Sequence, residues 1–224
     1  MSSYHETHFA SIGEAAIIRD QMSKYEGFKP YASLTYAAAQ LRSCHQMNEQ
    51  METIHVINNC VVESIGLMGT LLEYAVKTIA ITCYMSIDPE RALIEISNLI
   101  EKSEKSGVTG PFTKSEFLRI KGEILLLING RTIDEHMYCQ QEAERHLKAA
   151  ASLAIDSQCD VSYLKAVMCL CKLYQSQGRT TDLVLELASL SRVYIKLSNQ
   201  TKEPVGILVQ AKHYVDLLSF IIKV

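Results

Sequence analysis

His5 and His8, in "HETH", stand three residues apart. On a helical turn this spacing puts two imidazoles on one side, where they could hold a metal ion. The arrangement is not HExxH, and no second ligand cluster accompanies it, so the segment reads as a solvated N-terminal turn. Cys169 and Cys171 lie two apart. A helix sends such a pair to different faces, which is poor geometry for a metal or a disulfide and suits core packing for at least one of them. Cys44 beside His45 pairs a nucleophile with a base, but adjacent helical side chains diverge. There is no GxxxxGK[ST] phosphate loop. The expectation is a protein that is not an enzyme and needs no cofactor or metal.

The elements that position these side chains are helices. In "SIDPERALIEISNLIEKSEKSG", residues 86–107, Asp88 is placed as an N-cap and Pro89 sits at the first helical position, where its missing N–H costs nothing. Ala92, Ile96, Leu99 and Ile100 share one face, and Gly107 can take the left-handed conformation that ends a helix. The helix has about 18 residues and is roughly 27 Å long. "TKSE" at 113–116 reads as a capping box of Thr113 with Glu116 ahead of "FLRIKGEILLLING". Further helices are expected over 5–26, 30–45, 48–65, 68–85, 138–157, 161–177, 181–198 and 204–223. Gly- and Pro-containing turns separate them. No segment alternates convincingly as a strand, so the chain reads as all-α, about ten helices with mostly short links that make neighbours antiparallel.

Composition agrees with this reading. The 224 residues are 48% hydrophobic and 21% charged with a net charge of −3, enough apolar material for a sizeable core or a stack of small ones. The charge is too small and too mixed for a nucleic-acid or membrane-surface binder. Seven scattered cysteines, mostly in apolar helical runs, suit free thiols in a reducing compartment. The N-terminus lacks a signal-peptide pattern and no 18-residue apolar run is present, so a cytoplasmic location is expected.

The helices repeat. Val76, Ile79, Ala80 and Cys83 belong to the helix that pairs with the one carrying Ala92. Val167, Leu170, Cys171, Tyr174, Gly178, Leu183, Leu187 and Leu190 fall on the same offsets. Leu118, Gly122, Leu125, Ala143, Leu147 and Ala150 form a third copy with an insertion at 130–138, and a weaker copy begins at 30–45. A period near 34 residues with small and large residues alternating on paired helices is the tetratricopeptide signature. One helix pair cannot bury its apolar face alone, and the next pair covers it. The expected fold is an α-solenoid of antiparallel helix pairs, a right-handed superhelix forming a single domain over 1–224. It comprises a leading helix at 5–26, units at 30–65, 68–106, 113–157 and 161–198, and a capping helix at 204–223.

"EFLRIKGEILLLI", "EAERHLKAAASLAIDSQCD" and "VSYLKAVMCLCKLYQSQGR" resemble the helical repeat region of bacterial transcriptional regulators and predicted ATPases, and "LEYAVKTIAITCYMSIDPERALIEISNLI" is similar to their preceding unit. The likeness covers roughly residues 48–195. It implies a regulatory or protein-binding segment of a signalling or transcription-regulatory protein, standing alone or joined to nucleotide-binding, cyclase or DNA-binding domains. The sequence departs from the pattern at Cys171 and in the 130–138 insertion.

Such solenoids bind along the concave surface lined by the first helix of each pair. The packing register puts Tyr36, Gln40, Tyr74, Lys77, Arg119, Glu123, Lys165, Met168, Lys172 and Gln175 on that groove. Four of these ten are basic and one is acidic, a local positive excess suited to an acidic peptide, a C-terminal carboxylate or a phosphate-bearing ligand. The groove offers no Asn, so a chaperone-tail clamp is not expected. The preferred function is docking of a peptide or partner protein; the alternative is a domain that senses a small-molecule signal. The last segment, "EPVGILVQAKHYVDLLSFIIKV", is more apolar than a solenoid cap requires. It suits a covered cap or a homodimer through the C-terminal helix.

Overall fold

A computed structural model describes residues 56, 59, 70–85, 87–107, 109–128, 130, 132–200 and 206–223. The helices expected at 5–26 and 30–45, most of 48–65, and the groove positions Tyr36 and Gln40 lie outside the described residues, as do His5, His8, Cys44 and His45. Seven helices and no strands are found among the described residues: α1 Thr70–Tyr84, α2 Pro89–Ser106, α3 Pro111–Leu127, α4 Ile133–Asp156, α5 Asp160–Ser176, α6 Thr180–Gln200 and α7 Gly206–Lys223. Among the described residues the chain is all-helical, and none of these helices is long and apolar enough to cross a membrane. It divides into two compact units, Met1–Val108 and Thr109–Val224.

In the first unit α1 packs against α2. The Asp88 carboxylate accepts the Arg91 N–H at 3.0 Å, and Gly107 closes α2 at φ 63°, as the sequence dictates. Ala92, Ile96, Leu99 and Ser103 are buried, a four-, three-, four-residue rhythm that puts one stripe inward. Tyr74 is buried and shares a hydrogen bond with the Ser106 hydroxyl at 3.1 Å. The Arg91 guanidinium lies 4.2 Å from the Tyr84 ring centroid, a cation–π contact.

The second unit begins at α3. Pro111 follows an N-cap glycine, Gly110, that supplies no side-chain cap. The capping box expected from Thr113 and Glu116 is therefore absent: both residues lie inside the helix, and Glu116 turns to Arg119 instead. The reciprocal box forms one helix later. Glu135 N–H donates to Thr132 Oγ1 at 3.1 Å and Thr132 N–H to Glu135 Oε2 at 3.2 Å. That cap starts α4 at Ile133 rather than at 138, so the 133–138 part of the expected insertion is helix.

α3 and α4 cross closely at Gly122. A Cβ there would lie 2.7 Å from Leu147 Cγ and 3.2 Å from the Ala143 carbonyl. The Ser115 hydroxyl crosses the same interface to donate to the Ala150 carbonyl at 2.8 Å. A core built around Leu147, Leu164, Leu170, Leu173 and Leu187 then runs through α4, α5 and α6 to Leu208, Ala211 and Tyr214 of α7. Each fully buried aliphatic side chain contributes about 2 kcal/mol. α7 spends most of its apolar surface inside this unit, since Ile207, Val215, Leu217, Leu218 and Ile221 also pack on the core. Val209 and Phe220 stay exposed.

Each helix of the second unit packs on its sequential neighbour. In addition α3 touches α5, and α5 touches α7.

Candidate functional site

The α3–α5 face carries a largely buried polar cluster. Arg119 is 8% exposed. Its Nε donates to Glu116 Oε2 at 2.9 Å and its Nη2 to Glu116 Oε1 at 2.7 Å, while Nη1 meets Glu123 Oε2 at 2.6 Å. The planar guanidinium suits this double engagement, because its fork matches a carboxylate and leaves a further nitrogen for the next turn. From α5, Lys165 Nζ approaches Glu116 Oε1 at 3.5 Å and the Cys169 thiol donates to Glu123 Oε1 at 2.8 Å. Lys165 meets the earlier glutamate and Cys169 the later one, so α3 and α5 run side by side in the same direction.

The charges are balanced inside the cluster. Burial disfavours the Arg119 charge, but Glu116 and Glu123 more than restore it and hold its pKa above the usual range. Burial pushes the Glu116 carboxyl up; hydrogen bonds and charge from Arg119, with help from Lys165, outweigh that and leave it below the ordinary carboxylate range. Burial, then the neighbouring Glu123 carboxylate, push the Cys169 thiol well up. It is a protonated donor and a poor nucleophile.

The sequence-derived groove positions separate accordingly. Arg119 and Glu123 belong to the closed cluster, and Lys165 is joined to it at 40% side-chain exposure. Lys172 and Gln175 are exposed on α5, and Met168 is buried. Tyr74 is a buried residue of the first unit, and Lys77 is half-buried there. Positive charge that can reach a ligand on the α3–α5 face therefore comes from Lys165 and Lys172. Sequence reasoning missed Glu116, assigned to a cap, and Cys169, read as packing alone. It also missed Phe112 and Val161, exposed apolar residues one turn before Glu116 and Lys165. Their signal was the shared i, i+4 spacing from the charged pair.

A second cluster explains part of the motif that carries the resemblance. Glu144 of "EAER" and Arg179 of "QGR" pair at 2.6 Å. Arg179 stacks 4.4 Å from the Tyr174 ring centroid and also holds Asp182 at 2.7 Å. The Tyr174 hydroxyl donates to Glu144 Oε1 at 3.0 Å. The Arg179 hydrogen bonds, opposed by burial and helped by Lys148 and Tyr174, bring the Glu144 carboxyl down to about 2. Gly178 supplies the left-handed turn, φ 67°, that brings Arg179 round to α4. This cluster fixes the α5–α6 turn.

Nearby, burial, followed by the charges of Lys121 and Arg145, holds the His146 imidazole down at about 4, hence neutral. Among the described residues no group of three His, Cys, Asp or Glu side chains is placed to share a metal ion. Compared with protein-family models, with curated protein sequences and with solved structures, the chain matches none of them.

Proposed function

We propose that the chain is a tetratricopeptide-like helical repeat module, an α-solenoid that docks a peptide or partner protein and catalyses no reaction. The observation that carries this reading is the packing of alternate helices. α3 reaches past α4 to α5, and α5 past α6 to α7, the neighbour pattern expected of stacked helix pairs with their first helices forming one layer. On that layer the charge cluster is already ordered, so a ligand meeting it pays little to organise the face.

The ligand we favour is acidic, with an apolar residue beside its charge. Lys165 and Lys172 would meet its carboxylates, while Phe112 and Val161 would receive the apolar side chain. Arg119 supports this surface by holding Glu116 and Glu123 in place. The resemblance to repeat regions of bacterial regulators extends the proposal to a cytoplasmic role in signalling or transcription control.

Selection of displayed random 12-residue peptides against the full chain tests it. Enrichment of Asp and Glu next to a large apolar residue is expected, with binding lost in a Lys165→Glu, Lys172→Glu variant of unchanged helicity. Selected peptides without acidic bias, or bound equally by the variant, would remove this face as the docking site.

A further inference from the structure

A cavity of about 670 Å³ opens where the end of α4, the start of α5 and the middle of α6 meet. It shares no residue with the α3–α5 cluster and stands whether or not that face docks a peptide. Its size lies within the roughly 300–1,000 Å³ of sites that take small molecules.

The lining divides by chemistry. Ala154 and Val193 give it an apolar wall, and Tyr163 and Ser189 bring hydroxyls. Gln158, at the turn between α4 and α5, is held at φ 53°, a conformation uncommon for a residue with a Cβ that places a carboxamide-bearing residue at the rim. Two cations from α6 complete the lining, Arg192 and Lys196. Lys196 is taken up by Asp160 at 2.6 Å, whereas the Arg192 guanidinium pairs with no carboxylate of the described residues. The charged groups of the lining therefore leave one unit of positive charge over, carried by a side chain with a fork shaped for carboxylate or phosphate. Burial, then the Glu186 charge, keep the Tyr163 phenol above its ordinary range, so it remains a hydroxyl able to donate.

We propose that this cavity binds a small organic anion, a single carboxylate or phosphate on a compact apolar body, with Arg192 taking the charged head and the Ala154–Val193 wall the body.

Saturation-transfer NMR on the full chain, with benzoate and phenyl phosphate as probes and benzyl alcohol as the neutral control, tests the assignment. At least one anion should give a signal well above that of benzyl alcohol, and comparison of the two anions tells which head group is preferred. Arg192→Gln, an exposed position, should weaken the binding anion about tenfold, the size of one lost charge-assisted contact. Tyr163→Phe should produce a smaller loss. Far-UV circular dichroism of both variants should match the parent. No signal from either anion, equal binding of benzyl alcohol, or unchanged affinity in Arg192→Gln would overturn the proposal.

Discussion

Removing Arg119 offers the sharpest test of the physical reasoning. Arg119→Ala deletes the cation between Glu116 and Glu123, whose side chains are only 21% and 29% exposed. Loss of one member of a buried ion cluster costs about 3–5 kcal/mol, because charge is left without compensation. Partial exposure and the Lys165 contact at 3.5 Å place the expected cost at the lower end, about 3 kcal/mol. For a chain of this size that lowers Tm by about 6–12 °C.

The cost should depend on pH with a definite sign. In the parent Glu116 sits below its usual pKa, so its contribution is present above the unfolded carboxylate pKa and is lost as pH falls through the folded value. In the variant Glu116 loses its main cation and takes up a proton more readily. The deficit should therefore be largest near neutrality and shrink below about pH 5. Thermal denaturation followed by circular dichroism across that range measures both quantities. A loss under about 1 kcal/mol, or one independent of pH, would refute the closed-cluster account.

Three other outcomes follow from the packing. Gly122→Ala should destabilise by about 1–3 kcal/mol despite alanine's better helix propensity, since its Cβ would lie 2.7 Å from Leu147 Cγ; thermal denaturation reads this directly. Glu144→Gln should flatten the acid limb of the stability profile between about pH 4.5 and 2, because the depressed carboxyl stabilises the fold only above the pH at which it is protonated. Iodoacetamide labelling mapped by mass spectrometry should reach the half-buried Cys139 and Cys159 before the buried Cys169 and Cys171. Burial pushes the Cys171 thiol to about 12.

The helix ends show what a sequence can reveal. α2 is legible because Asp88, Pro89 and Gly107 act locally, each through its own backbone preference. "TKSE" and "TIDE" look alike as strings, yet only Thr132 and Glu135 form the reciprocal cap. Pro111 had already started α3 two residues before Thr113, which left Glu116 free to serve Arg119. The apolar positions of α3 to α6 were readable from their periodicity. Ala143, Leu147, Val167, Leu170, Cys171 and Leu187 are all buried.

Charge was harder to read. Counting Arg119 as a groove cation treats its side chain alone. Glu116 and Glu123, one turn to either side, neutralise it, and Lys165 is brought to the same cluster only by the parallel placement of α3 and α5, a tertiary fact. The Glu144–Arg179 pair was likewise visible only as two halves of a resemblance, because 35 residues separate the partners. The cavity at the α4–α5 turn has no linear signature, since Arg192 and Tyr163 come from different helices.

The most direct test of the docking account is hydrogen–deuterium exchange of the full chain with and without the tightest selected acidic peptide. Slowed exchange in α3 from Phe112 to Glu123 and in α5 from Val161 to Gln175, with α6 unchanged, is the predicted result. Protection confined to α6, to α7 or to the first unit would contradict the assignment of the α3–α5 face as the docking surface.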